Sequence, residues 1–105
     1  KYNIMSTTES ENKSNYRLPT TTALEHAIKI AVVEDKPIML DYWTPSLEKN
    51  ALIGVRENQE KLLVKSEEEY TSPISKIYRV DSDFLIVTEN SLYIVSGEIP
   101  SKRIA

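Results

Sequence analysis

After Pro37 the spacing of apolar residues changes from helical to alternating, and that change divides the chain. Upstream, "TTALEHAIKIAVVEDKP" places Leu24, Ala27, Ile28, Ala31 and Val32 at i, i+3, i+4, i+7 and i+8. This spacing predicts a helix over 23–34 with one apolar face. Thr22, with Glu25 behind it in the sequence, reads as a capping box at its start. Pro37 ends it by biasing Lys36 away from helical angles. His26, Ile30 and Val33 form a shorter second stripe on another side of the same helix. A small domain covers one helix face, so these three are candidate partner-binding residues.

Downstream the period is two. The runs "PIMLDYW", "ALIGVRE", "KLLVKS", "SKIYRV", "DFLIVTE" and "SLYIVS" are short, rich in Val, Ile and Tyr, and separated at hairpin spacing. "ENQE" is a polar connection of hairpin length, and Asp81-Ser82-Asp83 is a turn whose side chains can close on their own backbone. At Glu89-Asn90 the asparagine suits the left-handed conformation of a tight turn. The prediction is an α+β, mostly β fold: an N-terminal helix followed by an antiparallel six-run meander. Such a sheet hides its edges by curling, which gives a small SH3-like barrel or half-barrel. Gly54, inside a strand run, marks a bulge or a sharp bend.

Residues 1–20 are dominated by Ser, Thr, Asn, Glu and Lys. Such a segment cannot bury enough apolar area to offset its chain entropy, so it is read as a flexible polar arm, ordered only by a partner. Residues 21–105 are then one helix-plus-β-meander domain. The first methionine is Met5, which points to an upstream segment or to processing. A sequon at Asn12-Lys13-Ser14 is too short a match to carry weight.

Composition removes several functions. Thirteen basic against 16 acidic side chains give a net charge of −3, which disfavours a general nucleic-acid binder. With no cysteine there is no disulfide, thiolate metal site or thiol catalysis, and a reducing intracellular compartment is favoured. No apolar run approaches the ~20 residues of a membrane span. His26 is the only histidine, too little for a metal centre or a triad. Gly54 and Gly97 are the only glycines, so no phosphate-cradling loop exists. No cofactor is implied.

Asp41 interrupts an apolar run and is expected to be partly buried, with Arg56 or Arg79 as its candidate ion-pair partner. Tyr42, Trp43, Tyr70, Tyr78 and Tyr93, with Lys61, Lys65, Lys76 and Arg79, have the makings of a single-strand nucleic-acid platform. Exposed aromatics equally make protein hot spots, which adds Trp43 and Tyr70 to the candidate partner-binding residues.

"AIKIAVVEDKPIMLDYWTPS" resembles the helix, strand and tryptophan of the thioredoxin family, in which a Cys-x-x-Cys motif follows that tryptophan. Here Thr44, Pro45 and Ser46 follow it, so no exchange chemistry is possible. Pro45 is read instead as a strand stop. "EKLLVKSEEEYTSPISKIYRV" and "LIVTENSLYIVS" resemble small uncharacterised proteins of large DNA viruses, a likeness spanning 20–104. That resemblance implies a virion or virus-factory component and carries no site residue. The expectation is a non-catalytic interaction or structural module, a homo-oligomer or the partner of another protein within a larger assembly. The alternative is a nucleic-acid accessory barrel.

Overall fold

The computed structural model describes residues 16–104. The sequon, Met5 and the first 15 residues of the expected arm lie outside the described residues. Residues 16–20 pack on the body: the Arg17 side chain reaches Asp83, and Thr20 begins the helix.

Helix α1 (Thr21–Glu34) is capped by Thr20, whose hydroxyl accepts the Ala23 N–H at 3.1 Å. The cap therefore lies before the expected Thr22, and the expected pairing with Glu25 does not form it. At the other end Asp35 takes a left-handed conformation (φ 57°), and the Lys36 N–H donates to Ala31 O, so the helix closes before Pro37 is reached. The buried stripe is Ala23 and Ala27, flanked by half-buried Ile30 and Ala31. Leu24, Ile28 and Val32, the expected core face, are exposed. Small side chains let the helix approach the sheet closely, and only a narrow strip of it is covered.

Among the described residues eight strands form two four-stranded sheets, where one antiparallel meander was expected. The strands are β1 (Ile38–Met39), β2 (Leu52–Val55), β3 (Lys61–Ser66), β4 (Glu69–Tyr70), β5 (Ile74–Val80), β6 (Asp83–Thr88), β7 (Leu92–Ser96) and β8 (Ser101–Arg103). The first sheet runs β1-β7-β6-β5 and the second β4-β3-β2-β8. The hairpins β2–β3, β5–β6 and β6–β7 are antiparallel as predicted, but β1 joins β7 and β8 joins β2 in parallel. Both sheets are therefore mixed, and they do not close into one barrel.

The first sheet is the middle layer. On β6, Leu85 and Val87 face α1 while Ile86 faces the second sheet, so the strand reads as a continuous apolar run. Tyr42, Ile53, Leu63, Val95 and Ile99 complete the core between the sheets. Between β1 and β2 the expected strand ends early: Trp43–Leu47 is a short helix, α2. Pro45 lies in its first turn, where a missing N–H costs nothing. It starts a helix rather than stopping a strand. Ser46 Oγ accepts the Ser96 N–H at 2.9 Å, fixing α2 against the end of β7.

The turns follow the expected positions with different chemistry. Gln59 (φ 73°) and Asp81 (φ 54°) are left-handed, whereas Asn90 is not. At Glu89-Asn90 the Thr88 hydroxyl accepts the Ser91 N–H instead. Among the described residues no helix is long and apolar enough to cross a membrane.

Candidate functional site

In "KLLVKS" three apolar residues follow one another, and a strand turns successive side chains to opposite faces. Leu63 enters the core between the sheets, so Leu62 and Val64 point out of the other face. On β2, Ile53 points inward and Leu52 outward, and Tyr70 of β4 stands opposite Val64. Ile104, just beyond β8, folds back over Gly54. The outer face of the second sheet is thus apolar where a solvated face should be polar. Together these side chains floor a groove of about 600 Å³.

Gly54 explains the shape of this floor. It pairs in regular register with Leu62, without the expected bulge, and its missing side chain leaves a socket that Ile104 fills. Leu62 is only 2% exposed although it points outward.

The rim is basic. Arg56, Lys65, Lys102 and Arg103 line the groove, with Glu67 as its one acidic member. Arg56 pairs with Glu60 at 3.5 Å and Lys65 with Glu69 at 3.2 Å. Among the described residues no carboxylate lies within ion-pair distance of Lys102 or Arg103. A chain of net charge −3 therefore carries a patch of opposite sign around an apolar floor. The Lys65 ammonium also lies 4.6 Å from the Tyr42 ring centroid. Burial pushes the Tyr42 phenol up to about 12, and burial likewise raises Tyr93, which meets Tyr42 edge-on at 5.4 Å.

The five candidate residues from the sequence are not brought together. Tyr70, 52% exposed, lines the groove. His26 and Ile30 line a separate cleft of about 450 Å³ between α1 and β5, opposite Tyr78 and Val80. Val33 is exposed outside that cleft. Trp43 is buried: its ring lies under the Arg17 guanidinium at 4.9 Å, and its Nε1–H donates to Arg17 O at 2.8 Å. The aromatic that looked like an exposed strand edge is a core residue of α2.

The carboxylates also exchange roles. Asp41 is exposed in the turn before α2 and pairs with neither Arg56 nor Arg79. Asp83 is fully buried and accepts from Arg17 Nη2 at 2.7 Å and from the Thr20 N–H at 2.9 Å. The turn side chains thus bind the entry to α1, not their own backbone; Asp81 accepts from the Thr20 hydroxyl. Among the described residues no three His, Asp or Glu side chains converge as metal ligands.

Sequence reasoning missed Leu52, Leu62, Val64, Lys102, Arg103 and Ile104. The available signal was the apolar triplet Leu62-Leu63-Val64, since a strand with both faces apolar needs two covers. Comparison with known protein families, curated proteins and solved structures returns no match.

Proposed function

We propose that this chain is a non-catalytic protein-interaction module that docks a partner through the outer face of the second sheet. The observation that carries this reading is the groove floored by Leu52, Leu62, Val64, Tyr70 and Ile104. Apolar side chains set around one partly exposed tyrosine, with a charged rim, are the composition of a recognition surface. The resemblance to small proteins of large DNA viruses would make the partner a component of a viral assembly inside the host cell. A nucleic-acid accessory role is the weaker reading, because base stacking uses aromatic platforms and this floor offers only Tyr70.

Selection of a random dodecapeptide display library on the full chain tests the proposal. Enriched peptides should lose at least about tenfold in affinity on a Tyr70→Ala/Lys102→Glu variant. They should be unaffected by Val33→Glu on the helix. Enriched peptides that bind both variants as tightly as the parent would remove the groove from the function.

A further inference from the structure

Resting on the reading of this sheet face as a docking surface, the backbone of its edge strand identifies the kind of segment that docks. β8 is the last strand of the second sheet, and all three of its residues are exposed. Its parallel register sets Ser101 against Ile53, Lys102 against Gly54 and Arg103 against Val55. The Ile53 N–H donates to Pro100 O at 2.8 Å and the Ile104 N–H donates to Val55 O at 2.9 Å. In a parallel ladder, alternate residues of a strand bond to a given neighbour. Pro100, Lys102 and Ile104 therefore turn their backbone groups toward β2, and Ser101 and Arg103 turn theirs away. Their N–H and C=O groups, set about 6.6 Å apart along the strand, have no hydrogen-bond partner among the described residues.

The other edges are blunted. β4 is two residues long, is offset by an irregularity between Val64 and Ser66, and holds Glu69 against Lys65. β5 is interrupted between Ile74 and Lys76, and Lys76 is drawn to Glu34 at 3.5 Å. β1 has two residues. Among the described strands only β8 combines open backbone groups with an apolar groove beside it.

Charge then selects the occupant. Positively charged side chains on an open edge discourage indiscriminate pairing. In an antiparallel pair of two β8 strands centred on Lys102, that lysine would face its own copy, which disfavours a self-complementary dimer. We propose that β8 accepts an extended acidic segment of a partner protein as a fifth strand of the second sheet. Its backbone bonds to Ser101 and Arg103, and its carboxylates, on the face opposite the groove, meet Arg103. Its alternate apolar side chains lie over Ile104 and the groove floor. Strand addition of this kind takes affinity from the main chain and specificity from alternate side chains.

The test titrates the isotope-labelled full chain with an acetylated, amidated heptapeptide of alternating glutamate and leucine. The largest amide shifts should fall at Ser101 and Arg103, with slowed hydrogen exchange at both. N-methylation of the peptide amides facing β8 should weaken binding at least about tenfold, as should replacing its glutamates by lysine. Arg103→Pro removes an outward N–H without touching the β2 ladder, and should weaken binding more than Arg103→Ala at unchanged thermal stability. Equal binding of the N-methylated peptide, or equal effects of the proline and alanine variants, would overturn strand addition. Equal binding of the lysine peptide would overturn the acidic preference. Displacement of the peptide from Ser101 and Arg103 by oligothymidylate would overturn the protein partner. Display-selected peptides that bind the groove without shifting Ser101 or Arg103 would overturn the edge proposal while leaving the docking face in place.

Discussion

Ile104 occupies the space that Gly54 leaves by having no side chain: a Cβ on residue 54 would lie 2.7 Å from Ile104 Cδ1 and 3.1 Å from Val64 Cγ2. Gly54 lies in β2 and Ile104 just beyond β8, and the fit of these distant residues shapes the floor of the groove. Gly54→Ala must therefore push Ile104 aside. Overpacking of this kind costs about 1–3 kcal/mol, against a gain of about 0.4–1 kcal/mol from stiffening the unfolded chain. The expected net loss is about 1 kcal/mol by urea denaturation. With Ile104→Ala already in place, only the Val64 contact remains, and the cost of the same substitution should fall to no more than about 0.5 kcal/mol. Equal costs in the two backgrounds would show that Ile104 is not the neighbour that yields.

Asp83 depends on a residue 66 positions away for its charge partner. Removing one member of a fully buried pair costs about 3–5 kcal/mol. The Arg17 side chain is 40% exposed, however, so part of that penalty is screened. Arg17→Ala is expected to destabilise by about 2 kcal/mol. Trp43 is the only tryptophan and lies under the same guanidinium, so its emission follows the transition directly. Asp83→Ala should erase most of the Arg17→Ala effect when the two are combined. Simple additivity would mean that Arg17 acts through Trp43 alone.

The buried strip of α1 makes opposite forecasts for neighbouring residues. Ala27 is wholly buried against the first sheet, so Ala27→Leu should overpack and cost about 1–3 kcal/mol. Ile28 is 56% exposed and Val32 75% exposed. Ile28→Lys and Val32→Lys should each change stability by no more than about 0.5 kcal/mol. A large loss from Ile28→Lys, with Ala27→Leu tolerated, would restore the face read from apolar spacing.

That reversal shows where local pattern stops informing. Apolar spacing located α1, and alternation located β2, β3, β5, β6 and β7, because each signal spans several turns or a whole strand. It assigned the wrong helix face because large residues outweigh alanine in any hydrophobic count, while close packing on a sheet favours alanine. The hairpins were legible because their partners adjoin in sequence. The parallel pairs were not: nothing near "SKR" announces that Ser101 will pair with Ile53. α2 was hidden by alternation in "IMLDYW", of which only Ile38–Met39 forms a strand. Of the groove, Tyr70 was foreseen as an exposed aromatic. The floor around it required knowing which face of "KLLVKS" was already covered, and that is a tertiary fact. Asp83 looked like any other turn aspartate until Arg17 was placed beside it.

Tyr42, buried between the sheets, gives the fold a weakness at alkaline pH. Its phenol is pushed from an ordinary 10.0 up to about 12, chiefly by burial, and Tyr93 is raised for the same first cause. The unfolded chain releases the Tyr42 proton near pH 10, whereas the folded chain holds it to about 12. The neutral phenol therefore contributes its full share of stability below pH 10, and that share is lost as pH climbs through the folded value. One such group steepens the decline by up to about 1.4 kcal/mol per pH unit across this window. Among the described residues the Tyr42 hydroxyl makes no hydrogen bond, so Tyr42→Phe should keep most of the stability at neutral pH. It should also flatten the loss between pH 10 and about 12 and delete a late-ionising component from the phenolate absorbance titration. An unchanged slope in the phenylalanine variant would show that Tyr42 ionises with the unfolded chain and is not sealed between the sheets.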